Sequence, residues 1–237
     1  MAYKPKTKVW LKGQFESIIK ITELTWKFVI KLEKNFKYQA GQYVNIKVDG
    51  ITRSYSIASY DSGKNSFELL IVKLDGGALT TLLFGKVKEG GSLEVEGPKG
   101  KFLLPESIDS DLFFICTGTG LAPFRSFLDL IKQKKIVHKN IYLIFGTRTR
   151  SDLLCYDEML EWKKDIKGLD YIPVLSREEW EGASGYVHEQ YKNIINDTDL
   201  TDPIFYLCGW RNMILDSRRN LKDMGFDSKK IICEIYD

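Results

Sequence analysis

The sequence predicts a two-domain protein in which a small antiparallel β-barrel precedes an α/β domain built on a parallel sheet. Three observations carry this expectation. Up to about residue 105 the apolar residues alternate on a short period; from Asp111 onward they form compact strands separated by helical segments; and the stretch "LLPESIDSD", with its proline and charge cluster, lies between the two regimes. The expected units are residues 1–105 and 106–237.

In the first unit "KFVIKLE", "QYVNIKV", "RSYSIAS", "SFELLIVKL" and "SLEVEGP" read as strands broken by Gly, Asn and Asp, with one helix-like insert, "GGALTTLLFGKV". Several short strands and a single helix fit a small barrel. In the second unit "LFFIC", "NIYLIFGT", "DYIPVLS", "IFYLCG" and "KIICEIY" are buried strands. The segments between them are helical: in "APFRSFLDLIKQKK", Phe124, Phe127, Leu128 and Ile131 share one face, and "NMILDSRRNLKDMG" closes on Gly225. Strands alternating with helices make a parallel sheet covered on both faces.

Composition narrows the function. The chain of 237 residues suits two domains of ~100–130 residues each. A net charge of only +3, with Lys and Arg interleaved among Asp and Glu, lacks the basic stripe of a nucleic-acid binder. No apolar run approaches a membrane span, and "MAYKPKTKVW" lacks the apolar stretch of a signal peptide, so a cytoplasmic protein is expected. Cys116, Cys155, Cys208 and Cys233 lie far apart, and His138 and His188 are the only histidines. That spacing supports neither a metal site nor an iron–sulfur centre, so redox chemistry would need an organic cofactor.

"LFFICTGTGLAPF" runs from a buried strand through a glycine turn into a helix. Gly118 and Gly120 let backbone N–H groups approach an anion, and the helix adds the positive end of its dipole. Pro123 stands where a third glycine of the dinucleotide fingerprint would fall. By itself the turn serves either a diphosphate or simply a tight strand–helix connection, with Thr117 and Thr119 as candidate helix caps.

The order of these motifs resembles the ferredoxin–NADP(+) reductase superfamily over nearly the whole chain. The resemblance rests on Arg53, Tyr55 and Ser56 of "RSYS"; on "GGALT", Gly76 to Thr80; on "GPKGKF"; and on "TGTGLAPFRSF", "FGTRTRSDLLCYDEM", "VLSRE", "LCGW" and the terminal "EIYD". It implies an FAD-binding barrel followed by a five-stranded parallel NAD(P)-binding domain. Strand alternation puts Arg53 and Tyr55 on one face and Ser54 and Ser56 on the other, so all four serve one extended ligand only at a bent barrel rim. The resemblance gives Arg53 the FAD pyrophosphate, Tyr55 the isoalloxazine ring and Ser56 the flavin N5. It makes Gly76, Gly77, Ala78, Leu79 and Thr80 the second flavin motif, in which Gly77 and the N–H groups after it approach a phosphate and Thr80 stands where the family has Ser or Thr, and it gives Ile71, Val72 and Lys73 backbone contacts to the flavin.

At the other end, Cys208 closes an apolar strand and Gly209 begins the turn, where ligands of parallel sheets bind. Cys208 is either a small core filler or, as the resemblance implies, a neighbour of the nicotinamide C4. Glu234 matches an acidic residue near the nicotinamide, and Tyr236 a terminal aromatic that stacks on the flavin; here Asp237 follows that tyrosine. Ser176 and Arg177 fall where such reductases hold the NADPH 2′-phosphate, with Arg148 and Arg150 close by and Tyr186 as a candidate adenine platform. NADPH is therefore the expected coenzyme, with NADH the alternative because Asp152, Glu178 and Glu179 are adjacent.

The expected activity is hydride transfer between NADPH and FAD, with single electrons exchanged with a separate small redox protein, ferredoxin or flavodoxin. Lys73 and Lys99 are candidates to steer an acidic carrier. The alternatives are an NADH-dependent reductase component of an oxygenase, or a flavin-binding electron-transfer subunit of a larger complex. A monomer is expected.

Overall fold

The computed structural model describes residues 9–60 and 63–236. The N-terminal residues 1–8 and Asp237, on which the leader and tail expectations rest, lie outside the described residues.

The first unit has six antiparallel strands: β1 (Leu11–Lys20), β2 (Thr25–Leu32), β3 (Tyr43–Val48), β4 (Ile51–Ser56), β5 (Ser66–Val72) and β6 (Ser92–Lys99), in the order β4-β3-β6-β1-β2-β5. The ends of this sheet meet where Ile57 bridges Leu69 and the Ala58 N–H reaches the Glu68 carbonyl at 2.8 Å, which curls the sheet into a barrel. Alternation supplies the interior: Phe28 and Ile30, Val44 and Ile46, Phe67, Leu69 and Ile71 point inward and are buried. Each such side chain stabilises the fold by roughly 1.5–3 kcal/mol. Helix α1 (Ala78–Gly85) closes one end with Leu79 and Leu83. Strand β1 is absent from the runs named in the sequence. Its register slips between Phe15 and Ser17, so Gly13 and Phe15 are buried but the alternation ends there.

The second unit is a parallel sheet flanked by helices: β7 (Leu112–Thr117), α2 (Leu121–Lys134), β8 (Ile141–Thr147), α3 (Tyr156–Asp165), β9 (Leu169–Leu175), β10 (Ala183–Ser184), α4 (Val187–Asp197), β11 (Ile204–Trp210), α5 (Arg211–Asp223) and β12 (Ile231–Tyr236). The order is β10-β9-β8-β7-β11-β12, and every pair is parallel. The five apolar runs are the five long strands; β10 is a two-residue edge, too short to show a period. Helices α2 and α3 pack on one face through Phe124, Phe127, Leu128, Met159 and Trp162. On the other face α4 and α5 contribute Tyr191, Met213, Ile214 and Leu221. Helix α5 ends as expected: Gly225, at φ +93°, donates to the Lys222 carbonyl at 2.9 Å and Phe226 to that of Leu221 at 3.1 Å.

Strand order sets the site. After β7 the chain adds β8, β9 and β10 on one side, then crosses to the other side of β7 for β11 and β12. The loops after β7 and β11 therefore diverge at a topological switch point, where such sheets open a crevice. At the opposite end Asp111, only 1% exposed, accepts from the backbone N–H groups of Asn140 at 3.0 Å and Thr201 at 2.6 Å, gathering the strand starts. No helix among the described residues is long and apolar enough to cross a membrane.

Candidate active site

A cleft of about 530 Å³ lies between the barrel strand β4 and the carboxyl ends of β7, β11 and β12. Arg53, Ser54, Tyr55 and Ser56 all line it, although alternation sends their side chains to opposite faces. Through these residues β4 pairs only with β3, so its outer edge and both faces are open to the cleft. Arg53 makes a single hydrogen bond among the described residues, from Nη1 to its neighbour's carbonyl, Thr52 O, at 2.7 Å. Ser54 donates to Asn45 Oδ1 at 2.7 Å, and Asn45 in turn donates to Glu96 at 2.8 Å. Burial pushes the Tyr55 phenol up to about 12, with Arg53 partly offsetting it.

The neighbouring predicted residues divide. Val72 reaches the cleft, whereas Ile71 is buried in the barrel core and Lys73 is exposed, its N–H spent on the Leu24 carbonyl at 2.7 Å. Thr80 lines the cleft and is buried; its hydroxyl lies 3.1 Å from the Gly77 carbonyl and accepts the Leu74 N–H at 3.3 Å, folding the loop back onto α1. Leu79 is core, and Ala78 begins the helix. Gly76, at φ +71°, has open space around it, and no side chain caps the first N–H groups of α1.

Across the cleft, Gly118, Thr119 and Gly120 form a 3-10 turn that leads into α2. No side chain caps α2, contrary to the capping alternative for Thr117 and Thr119. The Thr117 hydroxyl instead accepts the Trp210 N–H at 3.2 Å, because the β11 loop lies directly against this turn. A Cβ on Gly120 would overlap the Cys208 carbonyl, and one on Gly209, at φ +134°, would come within 2.5 Å of Thr117 Oγ1. These two glycines serve loop-to-loop contact, while Gly118, at φ +54°, faces more open space. Pro123 is buried in the first turn of α2, where the missing N–H costs nothing.

In the parallel pair β11–β12, Cys208 is level with Glu234 and Trp210 with Tyr236, so the four side chains share one face. Ser56 Oγ donates to Glu234 Oε1 at 2.5 Å, joining the barrel to β12 across 178 residues of sequence. Burial raises the Glu234 carboxyl above its ordinary value, and the Ser56 hydrogen bond counters part of that. Cys208 is fully buried, and burial, with Glu234 beside it, holds its thiol well above the usual range. A thiol kept protonated packs rather than attacks. Tyr236 lines the cleft and buries its hydroxyl, which has no hydrogen-bond partner among the described residues. Burial, then Cys208 and Glu234, push that phenol well up.

The predicted coenzyme residues Arg148, Ser176, Arg177 and Tyr186 lie outside this cleft, along the ends of β8, β9 and β10. Ser176 N donates to Thr147 O at 3.0 Å and Arg177 N to Arg148 O at 2.9 Å, which brings the two arginines together. Neither guanidinium forms an ion pair among the described residues, whereas Arg150 meets Glu181 at 3.0 Å. Glu178 accepts the Arg150 N–H at 2.8 Å, and Asp152 accepts from Thr149 at 2.9 Å. Tyr186 is 62% exposed and stacks on His188 with ring centroids 5.6 Å apart.

Sequence reading missed Tyr43, Leu70, Leu74, Trp210 and Ile235, which also line the cleft. Trp210 carried a usable signal: a large aromatic directly after a strand-ending glycine, here 56% exposed.

Residues 12–103 match the family model of the oxidoreductase FAD-binding domain, and residues 114–219 that of the oxidoreductase NAD-binding domain. The chain is 29% identical to ferredoxin–NADP reductase B of Sorangium cellulosum over 86% of its own length and 87% of that protein. It is 32% identical to the phenol 2-monooxygenase reductase component DmpP of Pseudomonas sp. (strain CF600), over 86% of its length and 59% of that protein. The chain spans about half to three fifths of the length of the first curated relatives it matches, from 52% to 60%. Among solved structures, a ferredoxin NADP+ reductase from Neisseria gonorrhoeae with bound FAD and NADP superposes with a TM-score of 0.83 at 26% identity, covering 95% of this chain and 98% of that one.

Proposed function

Since the chain belongs to the ferredoxin–NADP(+) reductase superfamily of FAD- and NAD(P)-binding oxidoreductases, we propose that it is an FAD-dependent NADPH oxidoreductase that exchanges single electrons with a small carrier protein, ferredoxin or flavodoxin. In this reading residues 1–105 hold the flavin and residues 106–237 the coenzyme. The observation that carries it is the Ser56–Glu234 hydrogen bond of 2.5 Å, which brings the flavin-motif strand and the last strand of the coenzyme domain to one point of the cleft.

The residues present fit both groups. Arg53, with its fork still largely unpaired, and the uncapped start of α1 beside open Gly76 offer donors to a pyrophosphate. The aromatic and apolar side chains of Tyr55, Leu70 and Val72 offer a wall to a flat ring. When bound, the flavin supplies the redox chemistry, taking a hydride from the nicotinamide and releasing its electrons singly. The protein supplies placement. Ser56 presents a hydroxyl to the ring edge, Glu234 orients that hydroxyl and can hold a proton, and Tyr236 lines the cleft with Cys208 buried outside its lining. Tyr236 lies in the cleft and so has to shift when a nicotinamide enters.

NADPH is preferred over NADH because Arg148 and Arg177 are adjacent and form no ion pair among the described residues, while two of the three acids that would favour ribose hydroxyls, Glu178 and Asp152, are engaged with the Arg150 N–H and Thr149, leaving Glu179. The test is ferricyanide reduction by the yellow protein with each coenzyme. NADPH should win, and Arg177→Ala should raise its KM by about 10-fold or more while leaving the NADH rate unchanged, the loss of one charge-assisted contact. A preference for NADH untouched by the substitution would favour the second reading, a reductase component of an oxygenase. The similarity to DmpP motivates that reading.

A further inference from the structure

Arg125 is only 5% exposed, yet it crosses from the α/β domain into the barrel. From α2 its Nη1 donates to the Ala58 carbonyl at 2.6 Å and to Glu68 Oε2 at 2.6 Å. Its Nε and Nη2 donate to the two carboxylate oxygens of Glu158 on α3, at 2.6 and 2.7 Å, and the ring of Trp162 lies 5.6 Å from the guanidinium. The next residue, Ser126, is fully buried and donates to the Ser59 carbonyl at 2.6 Å; Asp129, one turn on, accepts the Tyr60 N–H at 2.8 Å. Three consecutive residues leaving β4 are thus held by one face of α2.

A buried cation is costly to desolvate, by several kcal/mol, and such an arrangement is stable only when the donors are satisfied, as they are here. The location gives the clamp its consequence. Ala58 lies two residues beyond Ser56, roughly 7 Å along the strand direction, and Arg125 lies four residues into α2, roughly 6 Å from its start. The clamp therefore joins the flavin-facing strand to the coenzyme-facing turn by a short and stiff route.

We propose that Arg125 is a positioning residue that sets the approach of the flavin, held by β4, to the coenzyme, held at the carboxyl end of the parallel sheet beside the β7–α2 turn, by locking the two domains together through Ala58, Glu68 and Glu158. The inference rests on the FAD and NADPH reading above. In that reading the residues assigned to the flavin pyrophosphate lie in the barrel and those assigned to the coenzyme phosphates in the α/β domain, so loss of the clamp spares binding and impairs the reaction between the two. A misplacement near 1 Å costs about 100-fold in rate.

The experiment compares the wild type with Arg125→Lys, Arg125→Met and Ser126→Ala. It measures FAD content, KM and kcat for ferricyanide reduction, the long-wavelength absorbance of the flavin–nicotinamide pair, and calorimetric unfolding of the FAD-free proteins. Lysine keeps the charge but cannot hold Glu158 with two bonds while reaching Ala58 and Glu68. Arg125→Lys should bind FAD with KM close to wild type, lower kcat by about 10- to 100-fold and weaken the long-wavelength band. Ser126→Ala should move both readouts the same way by less. FAD-free Arg125→Met should unfold in two transitions where the wild type unfolds in one; should it not fold, the lysine and Ser126 variants decide. A wild-type kcat in Arg125→Lys, or a defect confined to KM or FAD content, overturns the proposal. If the wild type oxidises neither coenzyme, the underlying reading has failed, and a single transition in Arg125→Met would then sink the domain lock as well.

Discussion

Glu234 shows how one side chain ties stability to pH. Its carboxyl is raised in the folded protein by burial, so the native state binds its proton more tightly than the unfolded chain does. Below the unfolded-state value both states are protonated and the native state loses nothing. As pH climbs from there through the raised native value, ionisation in the cleft costs stability. Glu234→Gln keeps an oxygen for the Ser56 hydroxyl and removes that ionisation. Melting curves should therefore coincide with wild type near pH 4 and show the variant equally or more stable at pH 8. A variant that melts lower at pH 8 would mean that the ionised carboxylate has a partner stronger than Ser56. At this scale Arg53, Tyr55, Ser56 and Glu234 could be picked out because local motifs carry them. Arg125 could not be, since its partners Ala58, Glu68 and Glu158 lie 33 to 67 residues away and alternation or helical period says nothing of them.

Among the elements, the two glycine turns at the switch point have a packing role beside the phosphate access read in the sequence. Gly120 and Gly209 let the ends of β7 and β11 touch, and a methyl group at either would strike backbone or the Thr117 side chain. Gly120→Ala should cost on the order of 1–3 kcal/mol or more, measured by denaturant unfolding, as overpacking does. Gly85 closes α1, and a methyl group added there would meet no atom within 4 Å, so Gly85→Ala should stabilise by roughly 0.5–1 kcal/mol. Equal effects from the two substitutions would contradict this account. Strand β1 escaped notice for a related reason: its bulge between Phe15 and Ser17 spoils the period that marks a strand. The long strands of the parallel sheet were legible because burial on both faces writes them as continuous apolar runs.

For the molecule as a whole, net charge is small at +3, so any steering of a carrier depends on local charge. Lys73 is exposed beside Leu74 at the cleft rim, while Lys99 is already paired with Glu96 at 2.9 Å. Electron transfer to an acidic ferredoxin should slow as ionic strength rises, and Lys73→Glu should slow it further at low salt while Lys99→Ala changes little, as stopped-flow traces would report. Salt-independent rates in all three proteins would remove steering from the account. The sequence by itself determined the two domains' kinds, the five long parallel strands and the flavin and coenzyme motifs, because these follow from periodicity and from short runs of adjacent residues. Only the tertiary structure decided that β4 stands open at the barrel edge, that Ser56 meets Glu234, that Trp210 joins the cleft and that Arg125 locks the domains. Those facts depend on contacts between distant segments, whose free energy comes from burial and hydrogen bonding after the chain has folded.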